Sequence, residues 1–229
     1  MFVLLSSPPR SAHRGRPLRL DGQQPQGQQR CKYGTKEYWD AMYAGDGELP
    51  ATEYSWYCGW DELEPFWDEL VPDRSARVLV PGMGNDAAVA HLYDAGWRSI
   101  VAFDYSADAV RRAEALLRGR EGVELLCADA CDLPLAADAF DAVLDKGALD
   151  AVDIAGGDGL ARAAAELARV VRPGGVAVSV SRVAEPHALE RAFAPDAWEP
   201  LRDGTLHIAA TGETTLDLAA SLYAWRRRE

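Results

Sequence analysis

Glycines and acids recur in this sequence where short apolar runs end. Pro81-Gly82-Met83-Gly84-Asn85-Asp86-Ala87 follows the run Arg77–Val80 and leads into a helical pattern. Glycines in such a turn let the backbone bend tightly and let a ligand approach with no side chain in the way. Asp104 closes the next run, twenty residues beyond Gly84. A carboxylate placed there can accept both hydroxyls of a ribose. Asp129-Ala130 and Asp145-Lys146-Gly147 close the third and fourth runs. The chemistry of this set is capture of a nucleoside-bearing cofactor. The local motif, Gly82-x-Gly84-x-x-Ala87 plus a downstream acid, suits a nicotinamide dinucleotide as well as S-adenosylmethionine.

Such residues converge only if strand ends are brought side by side, and the periodicity provides for that. Arg77–Val80, Ser99–Phe103, Val123–Cys127, Phe140–Leu144 and Val176–Val180 read as strands. Between them lie helical patterns over Asp86–Gly96, after Ser106 as N-cap (Val110, Ala113, Leu116, Leu117), and over Gly159–Val171 before Pro173-Gly174-Gly175. Repeated β-α-β units of this length demand a parallel sheet covered on both faces. Thr205–Thr211 and Thr215–Trp225 read as a closing antiparallel hairpin turned at Gly212.

Ahead of the first strand the chain is crowded with aromatics. Thr35 is placed to cap a helix from Lys36 to Tyr43, with Tyr38, Trp39, Met42 and Tyr43 on one face. A second helix fits Trp60 to Val71, with Pro65 in its first turns, where proline costs least. The expected fold is therefore α/β: a Rossmann-like, doubly wound, mostly parallel sheet with a C-terminal antiparallel edge hairpin and an N-terminal helical cap. The expected division is a leader over 1–30, an aromatic-rich helical cap over 31–72 and a cofactor-binding domain over 73–229.

A length of 229 residues, 48% hydrophobic and 26% charged, suits one globular domain with appendages. The net charge of −12 is uneven, because residues 1–30 hold five arginines and one aspartate, leaving −16 for the remainder. That acidity lacks the basic footprint of nucleic-acid or anionic-membrane binding. No apolar run approaches the ~20 residues of a membrane span. The first 30 residues, rich in Ser, Pro and Gln, read as a disordered leader or an organellar transit peptide. Cys31, Cys58, Cys127 and Cys131 form no C-x-x-C pair, so neither a disulfide framework nor a metal is expected, and the cytoplasm is the expected compartment. His187 and His207 have no serine or cysteine partner in a triad pattern. Lysines are few: Lys32, Lys36 and Lys146.

Asp129-Ala-Cys-Asp-Leu-Pro-Leu135, then Asp138-x-Phe140-Asp-Ala-Val-Leu-Asp145, resembles the adenine-side loop and fourth strand of class I S-adenosylmethionine-dependent methyltransferases. Arg172-Pro-Gly-Gly175, the closing hairpin and the aromatic cap strengthen that resemblance over residues 33–229. Three segments are similar to the methyltransferase-like family that includes the lysine methyltransferases of elongation factor 1-alpha. They are Tyr38-Trp39-Asp40-x-x-Tyr43 with Tyr54-Ser-Trp56-Tyr57; Val78-Leu-Val-Pro-Gly-Met-Gly-Asn85 with Phe103-Asp-Tyr-Ser106; and Asp145-Lys-Gly-Ala-Leu-Asp-Ala151. Met83, Asp86 and Ala148 depart from the family's usual cysteine, serine and threonine.

The resemblance implies S-adenosyl-L-methionine as cofactor, with Gly82 and Gly84 under its methionine part. It places Asp104 on the ribose, Tyr105 beside the adenine, and Asp129 and Ala130 at the adenine amino group. Trp39, Tyr43 and Trp56 would close over the methionine end, with Lys146 at the pocket. A sulfonium gains cation–π attraction of ~0.5–2 kcal/mol beside such rings. Asp145 is the expected catalytic acid, orienting an amine or holding the cofactor's ammonium; a strand-end pair with Lys146 is its plainer role. Asp150 is assigned a structural, capping role. The implied acceptor is a lysine of a basic protein such as elongation factor 1-alpha, and the expected state is a monomer. A small-molecule acceptor and a non-catalytic binding protein stand as alternatives.

Overall fold

Alternation along the central strands sorts their side chains into two apolar layers. The computed structural model describes residues 31–47, 54–182, 187–208 and 220–229. Its elements are α1 (Lys36–Ala44), α2 (Trp60–Leu70), β1 (Arg77–Pro81), α3 (Ala88–Asp94), β2 (Ser99–Asp104), α4 (Ala107–Leu116), β3 (Val123–Cys127) and β4 (Phe140–Lys146). Then come α5 (Ala148–Ala155), α6 (Gly159–Val170), β5 (Val171–Ser181), α7 (Ala188–Ala192), β6 (Trp198–Ile208) and β7 (Ala220–Arg227). The sheet runs β3-β2-β1-β4-β5-β7-β6, parallel as far as β5, with β7 antiparallel to both β5 and β6. The expected architecture is the one observed.

On one face, Val78, Val80, Ile100 and Ala102 pack with Leu63 and Trp67 of α2, Leu92 of α3 and Ala113 of α4. On the other, Leu79, Val101 and Phe103 pack with Leu149 of α5, Leu160 and Leu167 of α6, and Leu189 of α7. Strand order reverses between β1 and β4, so their loops diverge and leave a crevice beyond the carboxyl ends.

Several local expectations change. Helix α3 starts at Ala88, because the glycine turn continues through Asp86. Ser106 occupies the N-cap of α4 without a side-chain bond; the Asp104 carboxylate instead accepts from the Ser106 N–H at 2.9 Å. Strand β5 begins at Val171 and carries Pro173-Gly174-Gly175 within it, as a bulge opposite Phe140–Ala142. Pro65 is the sixth residue of α2, beyond its first turn, and it is tolerated on the exposed side. Strand β6 starts at Trp198, well before Thr205; Pro200 and Gly204 fall at register shifts of this edge strand, where proline is allowed. The Gly212 turn lies outside the described residues, as do residues 1–30. Among the described residues, no helix is long and apolar enough to cross a membrane.

Two elements escaped the sequence reading, α7 and α5. The start of α5 depends on a distant carboxylate. Asp145 Oδ1 accepts from the N–H groups of Ala148 (3.0 Å) and Leu149 (3.1 Å), and Oδ2 accepts from the Ser179 hydroxyl at 2.5 Å. Burial pushes this carboxyl up from 3.8 to about 7, against the pull of those donors.

The fold thus prefers Asp145 protonated. Its contribution to stability is fully present below about pH 4 and is lost as the pH rises through about 7. Urea unfolding across that window should show the wild type losing stability relative to Asp145→Asn, whose amide can keep all three partners; parallel profiles would refute the burial effect. In the other layer, Trp97 is fully buried, donates to Asp73 O at 3.0 Å and meets Trp67 edge-on at 5.9 Å. Trp97→Ala should cost ~3–5 kcal/mol in the same measurement, with an unchanged denaturant slope.

Candidate active site

The glycine turn after β1 is built for backbone contact. Gly82 and Gly84 both take left-handed conformations, with φ of 53° and 52°. A β-carbon at 82 would collide with the Ala148 side chain, and one at 84 with the Tyr43 hydroxyl. The departure at 148 therefore has a packing consequence, since this small residue sits against Gly82. Asp104, 3% exposed, locks the turn by accepting from the Gly84 N–H at 3.0 Å through Oδ2. Burial raises its carboxyl to about 6, while the two backbone N–H groups pull it down.

Helix α1 lies across these strand ends. Thr35 caps it as expected, accepting from the Tyr38 N–H at 3.4 Å. Trp39, Met42 and Tyr43 are buried beneath it, and the rings of Trp39 and Tyr43 stack at 5.9 Å. Trp56 closes on Trp39 edge-on at 5.8 Å, and the Trp39 indole donates to Tyr33 O at 2.8 Å. At the far end, the Tyr105 hydroxyl donates to Thr35 O at 3.4 Å, and Lys36 Nζ stands 5.5 Å over the Tyr105 ring. Asp129 and Ala130 form a tight turn after β3, where Asp129 Oδ1 accepts from the Cys131 N–H at 2.8 Å. The structure thus gathers Trp39, Tyr43, Trp56, Gly82, Gly84, Asp104 and Tyr105 around the switch point, with Asp129 and Ala130 at its β3 side.

Lys146 and Asp145 take different surroundings from those the resemblance implied. Lys146 Nζ is 2.6 Å from Asp86 Oδ2 and donates to Cys58 O at 2.7 Å and to the Ser55 hydroxyl. All three of its donors are spent on the protein, joining β4, the glycine turn and the segment 54–58. Its partner is Asp86, not Asp145. Asp145 itself is 1% exposed, below the floor of the crevice.

Asp150, read from the sequence as a capping residue, and Tyr57, which had no assigned role, complete the floor. Asp150, 3% exposed, accepts from the Tyr57 hydroxyl at 2.6 Å, the Arg182 N–H at 2.7 Å and the Ser181 hydroxyl. It sits inside α5 and does not cap it. The only local signal for this group was the pairing of Tyr57 and Asp150 with segments already singled out; their approach spans 93 residues.

Comparison with known proteins fits this geometry. A family described as a methyltransferase domain matches residues 79–179. The eEF1A lysine and N-terminal methyltransferases of Xenopus laevis and Homo sapiens are 31% and 30% identical over 175 residues, 73% of this chain but 24% of theirs. This chain thus spans about a quarter of the length of those relatives. EEF1A lysine methyltransferase 4 of Bos taurus is 30% identical over 178 residues, covering 72% of this chain and 67% of the relative. Among solved structures, one concerns the conversion of a disulfide bond into a thioacetal group during echinomycin biosynthesis. It superposes with a TM-score of 0.67 at 24% identity, over 84% of this chain and 92% of the other. N-methyltransferase NodS from Bradyrhizobium japonicum WM9, in complex with S-adenosylhomocysteine, gives 0.59 at 16% identity, over 74% and 86%.

The residues suit S-adenosylmethionine. The glycine turn tolerates no β-carbon, and the Asp104 carboxylate, with two backbone donors, keeps acceptor capacity for a diol. Trp39, Tyr43 and Trp56 form an aromatic cluster against the glycine turn. Strand order, switch-point chemistry and a bovine relative of comparable length agree: the chain belongs to the class I S-adenosylmethionine-dependent methyltransferases.

Proposed function

We propose that this chain methylates the side-chain amine of a lysine in a basic protein such as elongation factor 1-alpha. The observation that carries this reading is the match to relatives named for that activity, across 73% of the chain. The site agrees with an amine acceptor: Trp56, Tyr57 and the buried carboxyls Asp145 and Asp150 lie at the ends of β4 and β5, and Lys146, the cation that ends β4, is paired with Asp86.

When bound, the cofactor supplies an electrophilic methyl on sulfur, and the N–C bond forms as the S–C bond breaks, leaving S-adenosylhomocysteine. The protein's part is to bind, align and exclude water. In this reading Asp104 takes the ribose hydroxyls, Gly82 and Gly84 take the methionine part, and Tyr105, Asp129 and Ala130 flank the adenine. Trp39, Tyr43 and Trp56 cover the sulfonium. Asp145 acts from beneath, setting the position of α5, and Lys146 holds the cap segment in place. Alignment of this kind is worth roughly 7–11 kcal/mol of barrier. A lysine must be neutral to react, and the desolvating rings favour that state. The division into leader (1–30), cap (31–72) and catalytic domain (73–229), action as a monomer, and a cytoplasmic setting belong to the same reading.

The acidic body, −16 beyond residue 30, would steer a basic substrate. Purified protein, tritiated S-adenosylmethionine and elongation factor 1-alpha or cell lysate should give a labelled protein band whose rate falls steeply with added salt. Labelling confined to small molecules would refute the lysine reading. Asp104→Ala should weaken S-adenosylhomocysteine binding at least tenfold by calorimetry, and unchanged binding would remove Asp104 from the ribose site.

A further inference from the structure

Tyr57 is held in a conformation that non-glycine residues avoid. Its φ is 68°, and the Cys58 N–H donates to Trp56 O at 2.8 Å across it. A bond from i to i+2 around a left-handed residue is the strained form of the three-residue turn. Such strain persists only where the surroundings over-determine it, and it concentrates at functional sites. Here it is pinned from both sides. Lys146 takes the Cys58 carbonyl at 2.7 Å and the Ser55 hydroxyl; Asp150 takes the Tyr57 hydroxyl at 2.6 Å.

The result is a half-buried ring laid over the end of β4. A β-carbon at Gly147 would come within 3.0 Å of the Tyr57 ring, so glycine there makes room for it. Trp56 stands edge-on to the ring at 6.3 Å. The phenol hydrogen is committed to a carboxylate that is itself fixed by Ser181 and the Arg182 N–H. The phenol oxygen therefore has nothing further to donate and can act toward a further group only as an acceptor. A group of that kind favours an N–H donor over a carboxylate or other anion.

Building on the lysine reading above, we propose that Tyr57 receives the acceptor amine: its phenol oxygen accepts one amine N–H and turns the nitrogen lone pair toward the methyl group. Asp150 is the positioning residue that keeps the phenol hydrogen out of the way. An amine that already carries two methyl groups has no N–H in its neutral form, so Tyr57 aids the first two transfers and not the third.

The test compares wild type, Tyr57→Phe and Asp150→Ala with tritiated S-adenosylmethionine and elongation factor 1-alpha, or whichever lysate protein the wild type labels. Tyr57→Phe should lower kcat/KM for the protein at least tenfold, while the Kd for S-adenosylhomocysteine stays within twofold. Mass spectrometry should show the first transfer slowed more than the third. Asp150→Ala, which leaves the phenol hydrogen unheld, should reproduce the loss, and it decides the matter if Tyr57→Phe fails to bind S-adenosylhomocysteine. A lower melting temperature with unchanged kcat/KM and product distribution would show Tyr57 to be structural and overturn the proposal. If the wild type labels no protein, the lysine reading falls first and this inference with it.

Discussion

Three carboxylates, Asp104, Asp145 and Asp150, are taken out of water at the carboxyl end of the sheet, and each is re-wrapped by the protein's own donors. An unpartnered buried charge would be intolerable, so each acid dictates what lies around it. Asp104 fixes the glycine turn and the start of α4. Asp145 draws the first N–H groups of α5 onto the end of β4 and ties β4 to β5 through Ser179. Asp150 joins α5, the end of β5 and the segment bearing Tyr57. The crevice is the shape left when these three demands are met together.

Among the contacts that couple the cap to this floor, three fasten its aromatic segment. Arg112 donates to Tyr43 O, the Tyr43 hydroxyl rests on Gly84, and Lys146 grips the segment 54–58. Two of these contacts converge on the glycine turn, since Asp86, the partner of Lys146, lies two residues beyond Gly84. Whatever changes the turn is felt by the aromatic rings above it. The unusual acid at 86 thus belongs to the cap's attachment as much as to the turn.

Much of this was legible in the sequence because it is local. Gly82, Gly84 and Asp104 announce themselves by following apolar runs, and Thr35 by preceding an amphipathic one. What stayed hidden is non-local. Helix α5 is short and holds only Leu149 and Asp150 buried, so its periodicity is weak and its start is set by Asp145 from the strand. Strand β6 contains Pro200 and Gly204, ordinarily signs of a loop, and is a strand because an edge position needs few donors. Lys146 was noticed for its rarity, but its partners, Asp86, Ser55 and Cys58, lie up to 91 residues away. The same holds for Tyr57 and Asp150, which no spacing rule brings together.

The lysine clasp has a further consequence. A methyltransferase carries nucleophilic side chains of its own, and any that strayed into the crevice would compete with the acceptor. This chain has three lysines, and one of them sits at the end of β4, beside the crevice. With Asp86 at 2.6 Å, the Cys58 carbonyl at 2.7 Å and the Ser55 hydroxyl around it, its nitrogen is held among groups of the protein itself. The clasp that fastens the cap therefore also keeps this amine occupied.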